Sequence, residues 1–336
     1  MAERWSPHHL RLHRWLLHQP ELLPQGAHLL LAVSGGQDSM ALLGLVRDLQ
    51  RLHQWHLLLW HGNHRLRPEA DQQAEELAGW AQEQGLNIQV EHWDEPRADE
   101  AAARAWRYTA LEAAARSHHA SHVATGHTAT DRAETLLLQW ARGSHRRGLA
   151  SLRPSRPLAK GLELVRPLLL FSRAETARIT TELGLPVWLD GSNADSRYSR
   201  NRVRQEVLPV LEQLHPGAGR RISGVAERLA QEHDNQQELL ELALGGLSGG
   251  DGLQRRGLMA LRQANRRLLL QAWLEQQGHP PLAADQLQGL LERLAPERGP
   301  GQATLSRGAT LHWNRERIRL EHGNRISAAA QQQQAL

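Results

Sequence analysis

Leu29-Leu30-Leu31-Ala32-Val33-Ser34-Gly35-Gly36-Gln37-Asp38-Ser39-Met40 reads as a strand, a tight loop and the start of a helix. The apolar run has the character of a buried strand, and Ala41, Leu42, Leu45, Val46 and Leu49 then recur at helical spacing. Between them, adjacent glycines let the backbone turn through angles that other residues avoid. Several main-chain N–H groups can then converge on an anion at the positive end of the helix. Ser34 and Ser39 add hydroxyl donors, and the Asp38 carboxylate can hold Mg²⁺. The loop is neither Gly-x-x-x-x-Gly-Lys nor Gly-x-Gly-x-x-Gly, so those two nucleotide-binding classes lose support.

Outward from this stretch, apolar strands alternate with helical patterns. Trp55 to Trp60, Asn87 to Trp93, His122 to Gly126 and Leu162 to Leu170 read as strands. Residues 8–22, 70–84, 100 onward and 173–183 read as helices. This order predicts a doubly wound α/β domain with a mainly parallel sheet, whose ligands sit at the carboxyl ends of the strands. Two further polar stretches fall at that edge. His61-Gly62-Asn63-His64-Arg65-Leu66-Arg67 follows the second strand, and its two histidines carry little weight as a metal site. His127 opens the stretch after the fourth strand, where Asp131 and Glu134 stand three apart at a helix start. That spacing serves helix capping, and it also sets two carboxylates on one side near the positive end of the helix dipole. Arg104, Arg107 and Tyr108 lie within about a turn of one another on the long helix that begins at 100, and Arg200 and Arg204 share a helical face before Pro209.

The 336 residues suffice for about two domains. Pro216, Gly217 and Gly219 mark a boundary, which divides the chain into a catalytic domain over 1–215, a smaller and mostly helical domain with short closing strands over 216–328, and a frayed tail over 329–336. A break is expected at the glycine-rich stretch 245–252. The absence of cysteine removes disulfides, thiolate zinc sites and cysteine nucleophiles. No apolar run near the N-terminus approaches the roughly 18 residues of a membrane span, so a cytoplasmic protein with no membrane partner is expected. The net charge is +4 and Lys160 is the only lysine, a composition that permits a nucleic-acid partner without showing one.

Taken in order, Ser34-Gly-Gly-x-Asp-Ser39, Asn63-His64-x-Leu66-Arg67, Glu100-Ala-Ala-Ala-Arg104 and Gly126-His127-Thr-Ala-Thr-Asp131-x-Ala-Glu134-Thr135 resemble the tRNA(Ile)-lysidine synthetases. These are pyrophosphatase-loop (PP-loop) ligases of the adenine-nucleotide alpha-hydrolase-like fold. Arg142-Gly143-Ser144, Asp190-Gly-Ser-Asn193 and Arg200-Asn-Arg-Val-Arg204 to Pro209 extend the resemblance over residues 27 to about 215. It implies ATP-dependent joining of free L-lysine to C2 of the first anticodon cytidine of a tRNA(Ile) with a CAU anticodon. The base is adenylated first, and AMP then leaves as lysine attacks. The resemblance further implies that Ser34, Gly35, Gly36, Gln37, Asp38 and Ser39 bind ATP, with Asp38 on Mg²⁺, and that Asp131 and Glu134 lie near lysine and the reacting centre. Arg200 would be the catalytic arginine, with Arg104, Arg107, His127 and Arg204 as substrate contacts. The second domain would help to hold the tRNA, and a homodimer is compatible with the family. Arg65 departs from the family turn, which usually has glycine there. The alternatives are another PP-loop tRNA-modifying or amide-forming ATP pyrophosphatase, and a nucleotide- or RNA-binding module without turnover.

Overall fold

A computed structural model describes residues 5–97, 99–188, 199–250 and 252–322. The expected turn Asp190 to Asn193 and the tail 329–336 lie outside these residues. The chain begins with α1 (Pro7–His18), β1 (His28–Ala32), α2 (Gln37–His53), β2 (His56–Asn63), α3 (Ala70–Glu83) and β3 (Ile88–His92). It continues with α4 (Glu100–Ser117), β4 (His122–Thr125), α5 (Ala129–Ala141), α6 (Arg146–Leu149), β5 (Ser155–Ala159) and β6 (Leu162–Val165). α7 (Arg173–Glu182), α8 (Ser199–Arg202), α9 (Leu208–Leu214) and α10 (Ala218–Leu247) follow.

The strands lie in the order β3-β2-β1-β4-β6-β5, parallel throughout except for β5, which runs antiparallel to β6. Strand order reverses between β1 and β4, so their carboxyl ends open the crevice in which a doubly wound sheet binds its ligands. Alternation along β1 supplies both cores. Leu29 and Leu31 pack with Leu12, Met40, Leu42 and Phe171 on one side, and Leu30 packs with Trp60, Leu111, Ala115 and Val123 on the other.

Two local readings change. The expected strand 162–170 stops at Val165, because Pro167 starts a 3₁₀ turn over Pro167–Leu170. β5 carries no alternating signal and contains Pro157, which an edge strand tolerates. Pro209 does not stop the last helix of this region either. A π turn over Val203–Val207 widens the backbone immediately ahead of it, and α9 continues with Pro209 in its first turn, where no intrahelical donor is needed.

The chain divides into two compact units, residues 1–231 and 232–336, with the division inside α10. In the first unit, Glu175 of α7 ties three helices together. Its Oε2 accepts from the N–H and hydroxyl of Ser172, and its Oε1 accepts from Arg11 of α1 and Arg220 of α10, each at 2.8 Å. Burial raises its pKa, but these donors and the two guanidiniums outweigh burial and hold it at about 2.

The second unit holds β7 (Ser248–Gly249), β8 (Gly252–Gln254), α11 (Arg255–Met259), α12 (Gln263–Gln276), α13 (Ala284–Arg293), β9 (Gly301–Thr304), β10 (Ala309–Trp313) and β11 (Arg317–His322). Its strands form an antiparallel sheet, β7-β8-β11-β10-β9, around Leu253, Leu258, Leu270, Leu311 and Ile318. The helix preceding it runs through Gly245 and Gly246 to Leu247, because Leu240 and Leu244 keep its apolar stripe in this core. The break therefore begins only at Ser248.

Arg255, 2 % exposed, is the polar centre of this unit. Its guanidinium donates to the carbonyls of Leu294 (3.0 Å), Ala295 (2.7 Å), Arg298 (2.6 Å) and Asn314 (2.8 Å). Arg255→Met should therefore strand several buried carbonyls and destabilise this unit by about 3 kcal/mol. Faster hydrogen exchange at the β10 and β11 amides than in the wild type would show it, and unchanged protection there would refute it.

Candidate active site

The loop Ser34–Ser39 stands at the carboxyl end of β1 and opens α2. The Ser39 hydroxyl donates to the Gly36 carbonyl at 2.8 Å and accepts from the Ser34 N–H at 3.1 Å, which closes the turn from inside. Gly35 is left-handed at φ +80°, and its carbonyl accepts from the Trp188 N–H at 3.0 Å. Gly126, after β4, sits against this loop. A Cβ there would lie 2.9 Å from both the Asp38 carbonyl carbon and the Ser39 nitrogen, so only glycine permits this approach.

Asp38 is held by two residues that sequence reasoning did not single out. Arg173 Nη1 donates to its Oδ2 at 3.0 Å and the Thr176 hydroxyl to its Oδ1 at 2.5 Å. Burial nevertheless leaves the Asp38 pKa above its ordinary value, because it outweighs Arg173 and Thr176. The charged form of this carboxylate is thus disfavoured by burial even with both partners in place. The signal that locates Arg173 is Ser172-x-x-Glu175, a capping box that starts a helix at the ligand edge.

On the other side of the crevice, α5 begins with its own capping box. The Thr128 N–H and hydroxyl donate to Asp131 Oδ2 at 2.7 and 2.8 Å. The capping role and the site role therefore coexist in one side chain, because the second oxygen faces two arginines. Arg200 Nη2 donates to Asp131 Oδ1 at 2.6 Å and Arg204 Nη2 at 3.4 Å. Glu134, fully buried, receives Arg200 Nε at 2.8 Å on Oε2 and Arg204 Nε at 2.6 Å on Oε1. Burial raises the Asp131 pKa, but the Arg200 guanidinium and the Thr128 donors bring it below the usual carboxylate range. The two guanidiniums thus already balance the charge of the two carboxylates. Arg200 and Arg204 share a face as predicted, with the π turn at Val203–Val207 between α8 and α9.

These groups line one cleft of about 440 Å³, which also takes in Arg104, Arg107, Tyr108 and His127. Gly35, Thr128, Glu134 and Thr176 stand behind its wall rather than on it. Arg104 and Arg156 cover the Tyr108 ring at 4.8 and 4.9 Å. Burial drives the His127 pKa down to about 3, so the ring is neutral at pH 7. Trp60 and His64 line the far side, and Trp93 and Trp106 pack behind them. Trp93 and Trp106 stack at 5.7 Å, His64 meets Trp106 edge-on at 4.7 Å, and Trp60 covers Gly62 so closely that a Cβ at 62 would lie 2.3 Å from its ring. Arg65 adopts the left-handed conformation at φ +49° that glycine would supply. Asn63 Oδ1 holds it there by accepting from the Arg65 N–H at 2.9 Å, so the turn keeps its shape without the glycine.

Sheet order, loop and crevice define a PP-loop ATP-using enzyme, and the model of the PP-loop domain matches residues 11–211. That of the TilS substrate binding domain matches residues 253–323. The tRNA(Ile)-lysidine synthase of Parasynechococcus marenigrum (strain WH8102) is 50 % identical over 326 residues, 96 % of this chain and 96 % of that protein. That of a Prochlorococcus marinus strain is 42 % identical over 324 residues, 94 % of this chain and 96 % of the relative. The chain belongs to the tRNA(Ile)-lysidine synthase family. The U34-tRNA thiolase NcsA from Methanococcus maripaludis, solved with its [4Fe-4S] cluster, shares the fold at TM-score 0.57 and 17 % identity, over 67 % of this chain and 78 % of that one. Among the described residues, no helix is long and apolar enough to cross a membrane.

Two outcomes follow from this geometry. Gly126→Ala should push the β4–α5 turn into the loop backbone and weaken ATP binding at least tenfold while tRNA affinity is retained; calorimetric titration with ATP would measure it, and wild-type affinity would refute the contact. His127 takes up no proton in the folded protein until about pH 3, whereas in the unfolded chain it does so near 6.5. Between those values the unfolded state binds more protons, so stability falls as pH drops through this window. His127→Gln should flatten that acid-side slope in denaturation followed by circular dichroism.

Proposed function

We propose that the cleft adenylates the C2 carbonyl oxygen of the first anticodon cytidine in a tRNA(Ile) with a CAU anticodon, and then exchanges AMP for lysine. The observation that carries this reading is the convergence of the Ser34–Ser39 loop with the Arg200–Arg204 pair in one crevice. In the first step the cytosine oxygen forms a bond to the α-phosphorus of ATP, and the bond to the bridging oxygen breaks, releasing pyrophosphate. The N–H and hydroxyl groups of the loop stabilise the charge that develops on the leaving group. Mg²⁺, held by Asp38 and phosphate oxygens, would supply further charge neutralisation there. In the second step the neutral lysine amine attacks C2, the bond from C2 to oxygen breaks, AMP departs, and the amine proton passes to solvent or a nearby base.

Asp131 and Glu134 act in this reading by holding the forks of Arg200 and Arg204 towards the cleft, and Arg200 is the catalytic arginine. Arg104 and Arg107 are phosphate contacts, with neutral His127 beside the reacting base. Residues 1–215 carry the chemistry and 216–328 grip the tRNA. The reaction belongs to the cytoplasm, and a homodimer is compatible with it.

Incubating the protein with this tRNA, ATP, Mg²⁺ and lysine should add the mass of one lysine, less one water, to the anticodon cytidine. An unchanged nucleoside beside unmodified ATP would overturn the reading. Asp38→Asn should abolish pyrophosphate release without lowering the melting temperature, because burial already disfavours the charged form of this carboxylate. Glu134→Gln should slow adenylation and transfer together, by about a hundredfold, since both use the same arginines. A raised lysine requirement with normal adenylation would instead place the acidic pair at the amino-acid site.

A further inference from the structure

The strongest feature outside the cleft lies at the far end of α5. Trp140 is 69 % exposed there, although an indole of that size ordinarily buries most of its surface. From Thr135 to Leu162 the chain contains Arg142, Arg146, Arg147, Arg153, Arg156 and Lys160 and not one Asp or Glu. Six cations without an acid exceed the net charge of the whole chain, which is +4. Arg142, His145, Arg146 and Arg147 are exposed in the turn that follows Trp140.

This segment is held in shape rather than left to fluctuate. Gly143 turns it through φ +68°, the Ser144 hydroxyl donates to Gln139 Oε1 at 2.6 Å, and the Ser144 N–H donates to the Gln139 carbonyl at 3.0 Å. The Gly148 N–H then closes onto the His145 carbonyl at 2.8 Å. A fixed basic loop with a bare indole offers both things a nucleic-acid strand needs, cations for phosphates and a flat face for a base. An acidic protein surface would use the cations but not the indole. α5 itself sets the location. Asp131 stands in the cleft at its start, and Trp140 lies nine residues on, roughly 14 Å along the helix axis.

We infer that Trp140 and the Arg142–Arg147 loop form a docking platform for the RNA strand beside the reacting nucleotide, with an unpaired base stacked on the indole and phosphates on the arginines. This rests on the function proposed above and extends it to a second contact surface on the same domain. The platform adds affinity and register and takes no part in the chemistry.

The test uses the full chain and a tRNA with a CAU anticodon. Trp140→Ala should weaken tRNA binding about tenfold, and Trp140→Phe should retain most of it. Arg142→Ala and Arg147→Ala should each lower the slope of log affinity against log salt by about one. ATP affinity and melting temperature should match the wild type in all of them. Wild-type tRNA affinity and salt dependence in these variants would overturn the platform. So would loss of binding to phosphatidylserine vesicles with RNA binding intact, which would make the surface a membrane contact. Failure of the wild-type protein itself to bind tRNA would instead refute the function on which the platform rests, and the two failures are therefore distinct.

Discussion

Charge balance inside a partly dehydrated crevice is the constraint on which this structure turns. Asp38, Asp131 and Glu134 are drawn from water at the starts of two helices, and each meets a guanidinium: Arg173 for the first, Arg200 and Arg204 for the other two. A buried charge left alone costs several kcal/mol, so these pairs must form together with the fold around them. They are also unequal. The acidic pair on α5 is fully matched by its arginines, whereas Asp38 remains under-compensated. The same crevice therefore holds a carboxylate whose charge is well compensated and one whose charged form burial still disfavours, and the phosphate loop lies beside the second.

The arginines do more than balance acids. Their positive field is among the reasons why His127, already driven down by burial, stays neutral, so the ring can serve as a hydrogen-bond partner without adding charge. The clamp on Arg200 and Arg204 fixes two forks whose rotamers would otherwise be free, and a fork fixed in advance loses less entropy when an anion arrives. The π turn at Val203–Val207 is part of this. It absorbs Pro209 and keeps both arginines facing α5. A regular helix with proline inside would lose a hydrogen bond and kink at this point.

The second unit uses a different solution to the same problem. Its small sheet and three helices leave several carbonyls facing inward, and one buried guanidinium, Arg255, satisfies four of them. Here the arginine is a structural hub with no acid as its principal partner, and in the crevice it is a ligand-facing group.

Much of this was legible in the amino-acid order. Strand, loop and helix around Ser34 to Ser39, the alternation of elements to Glu182, the placing of Asp131 and Glu134 at the ligand edge, and the shared face of Arg200 and Arg204 all follow from periodicity and from glycine and capping chemistry, which act over a few residues. β5 was not legible, since an edge strand with proline carries no periodic signal, and neither was the true end of β6. The partners of the site residues were beyond reach for a different reason. Asp38 meets Arg173 135 positions away, and Glu134 meets Arg204 70 positions away. Gly126 is required by the backbone of Asp38, and the Trp60, Trp93 and Trp106 cluster is assembled from β2, the residue after β3 and α4. Local sequence determines which element each residue occupies and the face it presents. Which faces meet is decided by the order of strands in the sheet, because only closing those long loops brings the charges near enough to pair.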